Sequence, residues 1–122
     1  MMNIRKFIET AHNSGGGSYN LNTGEFNSKE GYMVSLEGHE EKHSEWDADN
    51  LLKYISSKAE YLAEPDNFLG VWYNEKANEW CFDVSQNVAH RIEAVELGLS
   101  RRQQAIWDCA KADEIDLSVA QG

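Results

Sequence analysis

The stretch "NFLGVWYNEKANEWCFDVS", residues 67–85, constrains this chain more than any other. Two aromatic, apolar runs flank the polar segment "NEKAN" at 74–78. A strand repeats its side-chain direction every second residue, so the pattern closes into a β-hairpin with Trp80, Phe82 and Val84 on one face. Trp72 and Tyr73 are neighbours on one strand and must face opposite sides, which leaves one of them open to a partner. The rest of the chain has to supply cover for this hairpin.

Helical periodicity appears in three places. "NIRKFIETAH" aligns Ile4, Phe7, Ile8 and Ala11, and the triple glycine 15–17 ends that helix. From 47 to 64, Leu51, Leu52, Ile55, Ala59 and Leu62 follow a 3.6-residue spacing. Asp47 is suited to cap this second helix, Trp46 and Leu51 to form a hydrophobic staple, and Pro65 to close it. "NVAHRIEAVELGL" gives the third, with Asn87 as its cap and Gly98 as its left-handed terminus. Between them, "SYNLNTGEF" reads as a strand and turn, and "GYMVSLE", 31–37, as a strand broken by Gly38. "QAIWD" and "DEIDL" read as a final antiparallel pair; the competing reading is a last helix, from the capping box Ser100-x-x-Gln103. The tail from about 118 to 122 is expected to fray. No repeat or linker divides the chain. The expectation is a single α+β domain over 1–122, an antiparallel sheet packed with about three helices.

Charge sets the class of partner. The formal net charge is −10, with mean hydropathy −0.63. Residues 25–66 hold eleven acids against four lysines, which is −7. Such a surface repels phosphate backbones and anionic membranes, so direct nucleic-acid and membrane binding are not expected. It suits docking onto a basic surface. The two cysteines, Cys81 and Cys109, form no CxxC pair and no disulfide framework, which fits a reducing cytoplasm and buried thiols. The N-terminus does not read as a signal peptide.

"HEEKH", 39–43, matches the H-E-x-x-H pattern of zinc peptidases. That chemistry needs both histidines on one helical face, with a third ligand and an open position. Here Gly38 precedes the motif, the helix start comes after it at Asp47, and both spacers, Glu41 and Lys42, are charged. "HEEKHSEW" reads instead as a strand pairing back on 32–37, with His39, Glu41 and His43 on one side and Glu40 and Lys42 on the other. "SGGGSY" follows a helix rather than preceding one and carries no P-loop lysine, so it reads as a connector. No G-x-S-x-G elbow marks a nucleophile, and Cys81, between Trp80 and Phe82, reads as structural. No catalytic residue, metal or cofactor is expected.

What remains is the acidic stretch Glu37, Glu40, Glu41, Glu45, Asp47 and Asp49. It is either a solvated face, with two acids flanking a helix start, or a carboxylate row that imitates phosphates. The order "GGGSYNLNTGE", "GYMVSLEG", "AEPDNFLGVWY", "FDVS", "HRIEAVELG", "QQAIWD" and "DEI" resembles small proteins carried by phages and mobile elements. That resemblance spans roughly residues 3–117 and implies a setting in which small acidic proteins act against host defence, of anti-CRISPR or anti-restriction type. It transfers no catalytic residue. The expected function is therefore inhibition in the host cytoplasm: the six acids bind a basic groove of a host-defence nuclease. The alternatives are a small-ligand-binding module, with Arg91, Arg101 and Arg102 as anion contacts, and a zinc enzyme through His39 and His43. A homodimer through the 68–84 hairpin is also expected, because that hairpin is aromatic on both faces.

Overall fold

The computed structural model describes residues 4–118. Of the expected frayed tail, all but Ser118 lies outside the described residues. The elements run α1 (Ile4–Ser14), β1 (Gly16–Tyr19), β2 (Tyr32–Ser35), β3 (Glu41–His43), α2 (Ala48–Ser57), α3 (Ala59–Leu62), β4 (Asn67–Asn74), β5 (Glu79–Val88), α4 (Arg91–Ser100), β6 (Ala105–Asp108) and β7 (Asp113–Asp116). All strand pairs are antiparallel, in the order β1-β4-β5-β2-β6-β7, with β3 also on β5. This is the expected small α+β fold.

The β4–β5 hairpin is the spine. Its turn takes four residues, Glu75–Asn78, and Asn78 adopts a positive φ of 55°. Asn74 therefore belongs to β4, and Trp72 lies opposite Cys81 rather than Trp80. One edge of β5 pairs with β4 along its length. The other edge pairs first with β3, at Trp80–Phe82, and then with β2, at Ser85–Val88. The expected pairing of 39–46 back onto 32–37 does not occur. Both segments lie end to end along β5, and residues 37–40 loop out between them with Gly38 at φ +83°.

Helices α1, α2, α3 and α4 pack on the face that carries Phe82 and Val84. Phe7 and Ala11 of α1, Leu51 and Tyr54 of α2 and Leu62 of α3 join Leu69, Val71, Phe82 and Val84 in the main core. Ala94 of α4 joins Val34, Val88, Ile106 and Leu117 in a second one. Each buried aliphatic or aromatic side chain stabilises the fold by about 1.5–3 kcal/mol.

Several local expectations are corrected. The second helix breaks at Lys58 (φ −108°, ψ 14°) into α2 and α3, giving α1 to α4 among the described residues. Asn87 lies in β5, and His90 takes the cap position of α4 without a side-chain bond. Gly98 sits inside α4, where a Cβ would come within 2.8 Å of Ile106 and 2.7 Å of Leu117; it admits close helix–sheet packing instead of ending the helix. The glycine run is not a connector. Gly16 and Gly17 form β1, and a Cβ on Gly16 would lie 2.5 Å from the Val71 carbonyl oxygen. The final β6–β7 hairpin forms as expected.

Candidate functional site

Strand β3 sorts the acidic segment between two faces. Glu41 and His43 point to the helix side of the sheet, where the His43 ring meets Glu41 at 2.7 Å and lies 4.8 Å from Phe82. Glu40 and Lys42 point to the other side, where Lys42 Nζ bridges Glu40 at 3.6 Å and Glu79 at 3.7 Å. This is the alternation expected of a strand. Asp47 caps α2: its carboxylate accepts from the Asn50 amide at 2.9 Å, and Asn50 Oδ1 accepts from the Asp47 amide at 2.9 Å. All six acids, Glu37, Glu40, Glu41, Glu45, Asp47 and Asp49, are exposed. Among the described residues, Glu37, Glu45 and Asp49 make no side-chain hydrogen bond or ion pair. The six do not form one row: Asp47 serves the helix, and Glu40 and Glu41 diverge.

The "HEEKH" motif is not helical. His39 lies in the loop before β3, its ring 4.2 Å from Tyr61, and its carbonyl accepts from the Tyr54 hydroxyl at 2.5 Å. Burial, with Lys58 nearby, lowers the His39 pKa. Among the described residues no group of three His, Cys, Asp or Glu is arranged to hold a metal.

Two depressions of about 240 and 280 Å3 are shallow and polar, one lined by Glu64, Pro65, Asp66, Asn67 and Gln86 and the other by Glu45, Trp46, Asp47 and Asn50. Neither contains an arginine. Arg101 is engaged internally, donating to Gln86 Oε1 at 2.8 Å and to the Val34 carbonyl at 3.4 Å, so it is not poised to bind an external anion.

The face of the sheet opposite the helices holds what the motifs missed. Register places Trp72, Gly70 and Phe68 of β4 beside Cys81, Asp83 and Ser85 of β5, then Ser35 and Met33 of β2 and Trp107 of β6. Among the described residues no helix covers this face. Asp83 is only 8% exposed. Its carboxylate accepts from Ser35 at 2.9 Å and from Ser85 at 3.5 Å. Burial, reinforced by Glu40, raises its pKa, and the side chains of Ser35, Ser85 and Trp72 oppose the rise. Gly70 makes the room: a Cβ there would stand 2.0 Å from Asp83 Oδ1. Trp72 and Trp107 stay 39% and 42% exposed. Cys81 and Cys109 are buried thiols whose pKa values burial pushes up to about 11. The one sequence signal for this face was the opposed pair Trp72 and Tyr73; Tyr73 turns to the helix side, 5.2 Å from Trp80.

Among the described residues, no helix is long and apolar enough to cross a membrane. No family model, curated protein or solved structure matches this chain.

Proposed function

We propose that this chain is a non-catalytic interaction protein of phage or mobile-element type. Its exposed carboxylates occupy a basic, nucleic-acid-binding groove of a host-defence nuclease in the host cytoplasm. One observation carries this reading: Glu37, Glu45 and Asp49 are exposed and make no internal bond, in a segment whose cationic ion-pair partner is Lys42. Carboxylates without an internal task leave a field that attracts cationic surfaces over a Debye length, about 8 Å at physiological salt. Glu40 and Glu41 add to that field, while Asp47 is bound into the helix cap.

The test is paired affinity capture from a bacterial host lysate, with the wild-type chain and the triple variant Glu37→Lys, Glu45→Lys, Asp49→Lys as baits. None of the three sites touches the core, so the variant should fold. Basic nucleic-acid-processing proteins retained by the wild type should be lost with the variant, and lost from the wild type when salt rises to about 0.5 M. Equal retention by both baits at low salt would sink the reading.

A further inference from the structure

Asn67 and Gln86 lie directly opposite each other on β4 and β5, on the helix side of the sheet. Their neighbours along the strands belong to different cores. Leu69 and Val84 pack with α1, α2 and α3, whereas Val88 packs with α4. The pair stands at the seam between the two, and each of its carboxamides is tied down at one end only.

Asn67 is 7% exposed. Its Nδ2 donates to the Tyr61 carbonyl of α3 at 2.8 Å. Gln86 Oε1 accepts from the Arg101 guanidinium at 2.8 Å. These bonds fix which way each amide faces. A flipped Asn67 would set oxygen against oxygen, and a flipped Gln86 would set N–H against N–H. Asn67 Oδ1 and Gln86 Nε2 are then left over. Neither has a partner among the described residues. Neither is sealed, because the buried side-chain atoms without a partner among those residues are His39 Nδ1 and Trp46 Nε1. Asn67 and Gln86 line the same depression of about 240 Å3, with Glu64, Pro65 and Asp66. Opposed residues on paired strands carry Cβ atoms about 4.5–5.5 Å apart. One acceptor and one donor of set orientation therefore open side by side into one depression.

Such a pair matches a group with the converse pattern, one N–H and one C=O on the same side. A primary carboxamide has that pattern, and so does a single residue of an extended peptide. Asn and Gln read an adenine edge by the same two-pronged bonding, but Glu64 and Asp66 in the wall repel a ligand that carries phosphate. We infer that Asn67 and Gln86 form a binding site for an amide group, whose N–H goes to Asn67 Oδ1 and whose carbonyl goes to Gln86 Nε2. Tyr61 and Arg101 hold the two side chains in place before the ligand arrives, which lowers the cost of binding. The site goes beyond the proposed function and does not depend on the carboxylates of 37–49.

Two probes test it, acetamide for a free carboxamide and acetyl-alanine-N-methylamide for a residue of a peptide. Binding is followed by the side-chain NH2 signals of Gln86 and the backbone N–H of residues 67 and 86 in the 15N-labelled full chain. At least one probe should shift these signals saturably. Tighter binding of the alanine compound assigns the site to a peptide, and tighter binding of acetamide assigns it to a free carboxamide. N,N-dimethylacetamide has no N–H to give to Asn67 and should bind about tenfold more weakly than acetamide. Gln86→Glu keeps a partner for Arg101 and removes the donor, so it should weaken both probes about tenfold. The dimethyl comparison uses the wild-type chain and holds even where that variant does not fold. No saturable shift with either probe, equal binding of the dimethyl compound, or unchanged binding in a folded Gln86→Glu chain would overturn the site. Each of those results leaves the proposed function standing.

Discussion

Asp83 sits where a carboxylate is least favoured, in the middle of the central strand and 8% exposed. Burial raises its folded pKa, so the native state holds the proton more tightly than the unfolded chain does. The sign follows from linkage. Stability from this group is greatest below the ordinary carboxylate pKa of about 3.9. It falls as pH rises through the raised value and is level above it. Asp83→Asn keeps a hydrogen-bonding side chain and removes the titration. Relative to the wild type, the variant should therefore gain thermal stability as pH goes from 4 to 7. Parallel melting curves across that range would show that the carboxyl is solvated. The presence of an acid in this strand is plain in the sequence, but its burial is not. Burial depends on Gly70, thirteen positions earlier, lying opposite it in register.

Helix α2 shows how far local rules reach. Asp47, the change to helical spacing after Trp46 and the later proline are all local signals, and the capping box forms where they point. Asp47→Ala removes the carboxylate that accepts from the Asn50 amide, leaves the residue-47 amide donating to Asn50 Oδ1, and should lower stability by about 1 kcal/mol in urea denaturation. Asp47→Ser should stay near the wild type. A full loss in the serine variant would mean that charge, rather than the cap bond, does the stabilising. Strands β1 and β3 mark where local rules stop. Gly16 and Gly17 have no strand propensity, and they pair because β4 offers an edge too close for any Cβ. Strand β3 was legible as a strand, and its alternation too, but its partner was not. Whether 41–43 folds back on β2 or continues along β5 depends on the 37–40 loop, whose length suits either path. The candidate site divides the same way. The acids could be read off, whereas the burial of Asp83 opposite Gly70 needed the hairpin register, and a turn of four residues rather than five changes which side chains meet.

At the scale of the whole molecule the pairings are long-range. Strand β1 finds β4, β3 finds β5, and β2 finds β5 and β6, so no two of the first three strands pair with one another. A chain whose strands wait for distant partners folds slowly, in milliseconds to seconds. A fragment ending at residue 66 should be largely unstructured by circular dichroism and quickly digested, while the full chain resists. A stable 1–66 fragment would mean that α1, α2 and α3 hold a core without the spine. The same topology has a consequence during synthesis. The first half of the chain leaves the ribosome with nothing to pair with, and residues 67–88 take a further one to four seconds or so at about 5–20 residues per second. Through that interval "YMVS" is a sticky strand in the open. The segment that carries it, 25–66, is also the one that carries −7. Like charges keep neighbouring nascent chains apart, so the carboxylates proposed to find a partner would first keep the unfinished protein from finding itself.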